Sequence, residues 1–307
     1  MALMRFKKLD LNLLVALDVL LKERSVSRAA EVLNLSASAA SNSLGRLRDY
    51  FDDELLVQIG RKMELTPRAE SLHAAVRDVL LRIDSTIADP PEFDPSGTDR
   101  VFRMLASDYT QMVLAPALLA LAAKAQSTVR FEFLPQVSAP HKQLERGEAD
   151  LLIVPTGFMS PDHPREVLYH EDFVCMVWRG STMAQGELTF DRYVNGGHVV
   201  MMPAGGQADA FEGWFLKRYG VTRRVAVSTY SFVTLPAMLV GTEYIATVHA
   251  RIARRMMQAF PLEIRPTPMP FDRMEQSAQW HKFRTNDPGL VWLRGMLAAA
   301  ARHMDEI

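Results

Sequence analysis

The chain has 307 residues, a net charge of −1, 48% hydrophobic and 23% charged residues. This is an ordinary globular composition, long enough for two or three domains, and its near-zero charge excludes bulk electrostatics as the basis of any polyanion binding. A single cysteine, Cys175, excludes a disulfide framework within the chain and fits a reducing compartment; in "DFVCMVW" it reads as a small core residue.

At the start, "MALMRFKKLDLNLLVALDVLLKERS" sets basic residues before an apolar run, but Asp10, Asn12 and Asp18 interrupt that run and no small-residue cleavage site follows. A secretory signal is therefore not expected. No apolar stretch approaches the ~20 residues of a membrane span. The expectation is a soluble, cytoplasmic protein.

Three helices fit the first segment. Helix one runs from about Asp10 to Arg24 with Leu11, Leu14, Leu17 and Leu21 on one face. Ser27 is read as the N-cap of a short second helix whose inner face is Ala29, Ala30 and Leu33. "NLS" turns the chain, and Ser36 can cap a third helix. There Ala40, Leu44, Leu47 and Phe51 fall at spacings of four, three and four, the buried stripe. At ~100° per residue, Ser38, Ser41, Asn42 and Gly45 point the other way. That face is small and hydrogen-bonding, with Arg46 and Arg48 beside it, which suits a helix entering the DNA major groove. Two helices joined by a short turn make a helix-turn-helix with the second as reader. "ELLVQIGRKMELTP" then reads as a hairpin wing with Arg61 and Lys62 at its tip. Residues 1–66 carry 10 Lys+Arg against 9 Asp+Glu, so the DNA reading rests on placement rather than on net charge, and a three-helix interaction module without DNA stays open beside it.

"TPRAESLHAAVRDVLLRIDSTI" opens with Thr66 as N-cap and Pro67 at the first helical position. Leu72, Val76, Val79, Leu80, Ile83 and Ile87 form a long apolar stripe, which a second copy of the chain could cover, giving a homodimer with two reading helices; packing on the chain's own C-terminal domain is the alternative. "ADPPEFDPSG", with three prolines and a glycine, breaks the helix and reads as a hinge.

From Arg100 the pattern alternates strand and helix, which implies parallel α/β sheets in two lobes with a ligand cleft beyond the C-terminal strand ends. The candidate effector-binding residues there are Ser107, Asp108, Met112, Gln136, Pro155, Thr156, Met202, Pro203, Tyr230, Ser231, Phe232 and Thr247. Hydroxyls, a few polar groups and aromatics suit a small, partly apolar organic ligand. His281, in "QWHKFRTNDPG", is the most suggestive of eight histidines, none of which show metal-ligand spacing. There is no glycine-rich phosphate loop and no G-x-S-x-G elbow, so neither an enzyme nor a metal site is expected.

The order of parts resembles the LysR-type transcriptional regulators. "LDLNLL", "RSVSRAAEVLNLS", "SNSLGRLRDYFDDELLV" and "LTPRAESL" carry the likeness in the first half. "GEADLLIVP", "FMSPDHPR", "LTFDRYVNGGH" and "QWHKFRTNDPGLVWLR" carry it in the second, and they are most like the branch that includes NodD, NahR and LinR, as is "MRFKKLDLNLLVALD". The resemblance implies an α+β multi-domain chain: a winged helix-turn-helix (1–66), a linker dimerisation helix (67–89), a hinge (90–99) and a two-lobe, periplasmic-binding-protein-like effector domain (100–307). Lobe I would comprise about 100–168 and 271–307, lobe II about 169–270. It further implies an activator, a homotetramer built as a dimer of dimers, RNA polymerase among the partners, no cofactor, and small aromatic effectors such as flavonoids, salicylate and nitro- or chloro-aromatics. Base-edge contacts fall to Ser38, Ser41 and Asn42, and phosphate or groove-wall contacts to Arg28, Arg46, Arg48, Arg61, Lys62 and Arg68, with Ser36 and Ala37 at the start of the reading helix completing the DNA-binding set. The reading helix departs from the family at Ser36-Ala37-Ser38-Ala39, where Ser-Gln-Pro-Ala is usual. Ala37 loses the glutamine's hydrogen bonds but can meet a thymine methyl. Gln58 stands where the wing commonly has arginine. An enzyme built on the two-lobe domain, and a constitutive regulator with an empty cleft, are the competing classes.

Overall fold

The computed structural model describes residues 9–60, 62–83, 92–135, 137, 139–202, 211–218 and 220–305. The chain divides near residue 90 into two compact units.

The first unit begins with α1 (Leu11–Glu23), α2 (Val26–Val32) and α3 (Ala37–Phe51). Asp10 caps α1 by accepting from the Leu13 N–H at 2.8 Å. The buried face of α1 is Leu13, Leu17, Leu20 and Leu21, while Leu11 is 46% exposed. The helix is thus rotated from the phase expected of Leu11 and Leu14. Leucine and valine occupy every face of α1, so periodicity alone does not fix which one turns inward. The cap of α2 is Ser25, whose hydroxyl accepts from Arg28 N–H at 3.3 Å; Ser27 lies exposed inside the helix. Ala29 and Ala30 are buried as expected, and Asn34 makes the turn with φ 54°, a left-handed conformation asparagine tolerates. Ser36 caps α3 through the Ala39 N–H, and Ala40, Leu44 and Leu47 are buried.

The wing is β1 (Leu56–Ile59) paired antiparallel with β2 (Lys62–Leu65), Ile59 opposite Lys62. Only two residues join the strands, and Gly60 takes φ +64°, as the tight turn requires. Thr66 caps α4 (Pro67–Ile83), its hydroxyl accepting from Ala69 N–H at 3.1 Å and donating to Asp53 at 2.6 Å. Val76 and Leu80 of α4 join the cluster of Leu13, Leu17, Leu20, Leu44 and Leu47. Each such buried leucine contributes about 1.5–3 kcal/mol. Arg77 adds an ion pair to Asp18 of α1 at 2.7 Å. Part of the linker stripe is therefore covered at home by α1, leaving Val79 47% exposed; Ile87 lies outside the described residues.

The second unit contains β3 (Val101–Ala106), α5 (Asp108–Lys124), β4 (Arg130–Leu134), α6 (Pro140–Glu145), β5 (Leu151–Pro155), β6 (Arg165–Glu171) and β7 (Phe173–Trp178). It continues with α7 (Phe190–Asn195), β8 (Gly197–Met201), α8 (Phe211–Arg218), β9 (Arg224–Thr229), β10 (Tyr244–His249), α9 (Ala250–Ala259), β11 (Leu262–Arg265), β12 (Met274–Trp280) and α10 (Pro288–His303). Two five-stranded sheets result, ordered β4-β3-β5-β12-β6 and β11-β7-β10-β8-β9. The chain passes from the first to the second at Asp172 and returns between Arg265 and Met274. Neither sheet is wholly parallel: in the first, β3, β4, β5 and β6 share one direction and β12 alone opposes them, and in the second, β8, β9, β10 and β11 share one direction and β7 alone opposes them. Both crossings cause this: the chain enters the second sheet on β7, between β11 and β10 and against the direction of both, and the return brings β12 back into the first sheet between β5 and β6, against the direction of both. One cluster joins the sheets, with Tyr109, Met176, Met201, Phe232 and Trp280 among its members. Cys175 is fully buried on the outer side of the second sheet, and burial pushes its thiol up to about 12.

Candidate DNA and effector sites

On the reading helix, Ser38, Ser41 and Asn42 are exposed and Gly45 is half-buried, opposite the buried Ala40, Leu44 and Leu47. Ser36 and Ala37 are exposed at its N-terminus, with the Ser36 and Ser38 hydroxyls 3.0 Å apart. The positive end of the α3 dipole lies there. Arg46 pairs with Asp10 at 3.1 Å, but both side chains are more than half exposed, so phosphate can compete for this guanidinium. The Asp10 carboxyl sits below the usual range because the Leu13 N–H and Arg46 bond to it. Arg28, exposed, lies 3.3 Å from Glu23. Arg48 is differently placed: it donates to the Glu54 carbonyl at 2.8 Å and the Leu56 carbonyl at 2.9 Å, and pairs with the Glu54 carboxylate at 3.1 Å. It clamps α3 to the wing rather than standing free as a phosphate cation. Lys62 and Arg68 are exposed; Arg61 lies outside the described residues. Gln58 turns back on the wing tip, donating to the Gly60 carbonyl at 3.1 Å.

In the second unit the C-terminal ends of the parallel strands bring several expected residues together. Ser107 caps α5, accepting from Thr110 N–H at 3.2 Å. Asp108, the first residue of α5, reaches across to the other sheet. Its carboxylate accepts from the Ser231 hydroxyl at 2.6 Å, Val233 N–H at 3.1 Å and Phe232 N–H at 3.3 Å. Tyr230, beside this contact, is 79% exposed, whereas Phe232 is buried. Met202 continues β8 by donating its N–H to the Thr229 carbonyl at 2.7 Å. Pro155 ends β5, and the Thr156 hydroxyl meets the Ser277 hydroxyl at 2.7 Å. Met112 lies one turn along α5, its carbonyl accepting from Arg255 of α9.

Two residues lie elsewhere. Thr247 is 4% exposed, and its hydroxyl is 2.7 Å from that of Tyr193 in the cluster around Cys175. Side chains alternate along a strand, and position 247 faces α7. His281 follows Trp280, which pairs with Leu151 at the start of β5, the end opposite Pro155. There its ring packs against His163 at 4.7 Å and its Nδ1 accepts from Phe283 N–H at 3.3 Å. Gln136 and Pro203 lie outside the described residues.

Other residues at the junction of the sheets carry no motif. Tyr109 donates to Glu171 at 2.5 Å, and Arg251 pairs with the same carboxylate at 3.0 Å. Burial raises the Tyr109 phenol well above its ordinary value. His249 ends β10, its ring 4.0 Å from that of Tyr109 and 4.8 Å from that of Phe232; burial pulls it down to about 3, so it is neutral. Gln276 donates to Thr110 at 2.9 Å and to the Ile153 carbonyl at 3.2 Å. Only "HED" at the first crossing could have hinted at this cluster, because its members come from six separated segments. Among the described residues no group of three His, Cys, Asp or Glu is placed to hold a metal ion, and no helix is long and apolar enough to cross a membrane.

The comparisons with known proteins agree with this architecture. Residues 11–70 match the bacterial regulatory helix-turn-helix protein, lysR family, and residues 95–302 match the LysR substrate binding domain. Nodulation protein D 2 of Rhizobium leguminosarum bv. phaseoli is 41% identical over 301 residues, 98% of this chain and 95% of that protein. Nodulation protein D 1 of Rhizobium tropici is 40% identical, with 98% of each covered. Among solved structures, a probable transcriptional regulator from Pseudomonas aeruginosa has a TM-score of 0.64 at 27% identity, covering 95% of this chain and 97% of its own. A full-length OxyR variant from the same organism has a TM-score of 0.75 at 17% identity, covering 96% and 95%, a likeness of fold alone. A helix-turn-helix of this kind binds DNA, the second unit is a small-molecule effector domain, and the relatives are regulators rather than enzymes. The chain belongs to the LysR-type transcriptional regulators.

Proposed function

We propose that the chain is a ligand-responsive activator that reads double-stranded DNA through α3 and the wing and senses a small aromatic compound between its two sheets. Ser36, Ala37, Ser38, Ser41 and Asn42 meet base edges; Arg28, Arg46, Arg61, Lys62 and Arg68 meet phosphate. The effector lies beside Ser107, Asp108, Tyr230, Ser231 and Phe232. The observation that carries this reading is the direct hydrogen bonding of Asp108, past the end of β3, to the 231–233 turn past the end of β9. Strand ends opposed in this way are where open α/β sheets bind ligands. An aromatic there alters the relation of the two sheets, and the bound dimers change how the promoter is bent.

The working species is a homodimer joined through α4, paired into a tetramer, acting in the cytoplasm on RNA polymerase without a cofactor. Identity near 40% to the nodulation D proteins over almost the whole chain supports an activator with an aromatic effector. The test is a thermal-shift screen of hydroxylated, nitrated and chlorinated aromatics and flavonoids, with hits repeated in a DNA footprint. A hit that raises the melting temperature and alters the footprint is expected. An unchanged footprint with every binding aromatic would refute the mechanism.

A further inference from the structure

The 231–233 turn gathers three hydrogen-bond donors on one carboxylate. Ser231 Oγ–H, Phe232 N–H and Val233 N–H converge on one point, and the turn is stiffened by Thr234 N–H donating to Ser231 Oγ at 3.1 Å. The N-terminus of the 17-residue α5 adds the positive end of its dipole at the same place. The carboxylate of an aromatic acid would ordinarily be drawn to such a group of donors. Here they are filled by the chain's own Asp108. Both of its oxygens are engaged: Oδ2 by Ser231 and Val233, Oδ1 by Phe232 and by Tyr109 N–H at 2.9 Å.

We infer that Asp108 determines which charge class of effector this regulator accepts: by occupying the anion receptor it selects uncharged aromatics and excludes aromatic carboxylates. This deepens the aromatic-effector reading and rests on it. A ligand carboxylate arriving at the turn would meet a second negative charge and no spare donor, and two carboxylates at contact distance disfavour each other's ionised form. A phenol, ketone or ester brings no charge, and can pack against the exposed Tyr230 ring beside the turn.

The test uses the full chain, its Asp108→Ala variant, and Asp108→Ser, which keeps a hydroxyl to accept from the turn should the alanine variant fail to melt cooperatively. Each is titrated with benzoate, methyl benzoate, a neutral flavone and acetate, with chloride at matched ionic strength as control. The unaltered chain should melt higher with neutral aromatics and not with benzoate or acetate. The variants should gain at least tenfold in affinity for benzoate and be stabilised by acetate. Benzoate bound by the unaltered chain as tightly as methyl benzoate overturns the inference. So do cooperatively folded variants that respond to neither anion. If no aromatic binds any of the proteins while acetate still stabilises the variants alone, the anion receptor stands, and the aromatic-effector reading falls with the selectivity built on it.

Discussion

Asp287 offers a worked test of how the first sheet of the effector domain is held. It is 1% exposed and serves two purposes. Its Oδ1 caps α10 by accepting from Leu290 N–H at 3.0 Å, while Oδ2 receives Arg100 at 2.5 Å and Arg284 at 2.7 Å. Asp287→Asn keeps the cap and removes the charge. Breaking a buried pair typically costs 3–5 kcal/mol; Arg284 retains Asp150 and Arg100 is partly exposed, so about 3 kcal/mol is expected. Asp287→Ala also loses the cap, for roughly 1 kcal/mol more. For a domain of this size each kcal/mol lowers the melting temperature by about 2–4 °C, so the asparagine variant should melt roughly 6–12 °C lower and the alanine variant lower still. Differential scanning calorimetry of the full chain reads both. An asparagine variant within ~2 °C of the unaltered chain, by the same scale, would refute the charge argument, and equal losses in both variants would refute the capping argument. The pH dependence gives a second check. Burial alone would raise the Asp287 carboxyl, but Arg100 and Arg284 outweigh it and hold it below the ordinary aspartate value of about 3.8. Its contribution is therefore present above pH 3.8 and lost as the pH falls through the folded value, so the deficit of the asparagine variant should shrink in acid.

Two buried histidines act in a higher window. Burial pulls His198 down to about 4 and His249 to about 3, so both fold neutral, and stability is complete above 6.5 and falls below it; at pH 5 each costs about 2 kcal/mol, which urea midpoints at pH 7 and 5 would read and His249→Phe would partly abolish. In DNA titrations across salt concentrations, Lys62→Ala should lower the slope of log K against log salt by about 0.9 per module, with base preference retained. Arg48→Ala should instead loosen the wing and cost stability of the first unit, seen by melting without DNA; a pure change in salt slope with no stability loss would contradict the clamp. Gly60→Ala, at φ +64°, should destabilise by about 1 kcal/mol through strain in the wing turn, measured by chemical denaturation.

The first unit was legible because its signals are local. Ser36, three residues before Ala39, and Thr66 before Pro67 mark helix starts within a single turn, and Ala40, Leu44 and Leu47 carry the period of one isolated helix. α1 shows the limit, since with leucine on most faces only the packing of α3 and α4 decides that Leu13 and Leu20 turn inward. In the second unit β3, β5, β7 and β10 announced themselves as apolar runs, but the antiparallel seam did not. β12 owes its place to β5 and β6, more than 100 residues earlier. The candidate ligand residues share this limit. Ser107 and Ser231 were legible as strand ends, but that Asp108 joins them depends on a contact 123 residues apart. Thr247 was misplaced by one step of strand alternation, and His281 by not knowing that β12 runs against its neighbour.

The strand order also sets a timetable for synthesis. When β6 leaves the ribosome it has no neighbour to pair with, because β12 alone flanks it in the sheet. The whole of the second sheet, roughly 100 residues, must be translated before β12 appears, about 5–20 seconds at ordinary elongation rates. During that interval β6 and the open edge of β5 are exposed pairing surfaces. The inserted sheet can close first, and the one that begins the domain is finished last, by its final strand and helix.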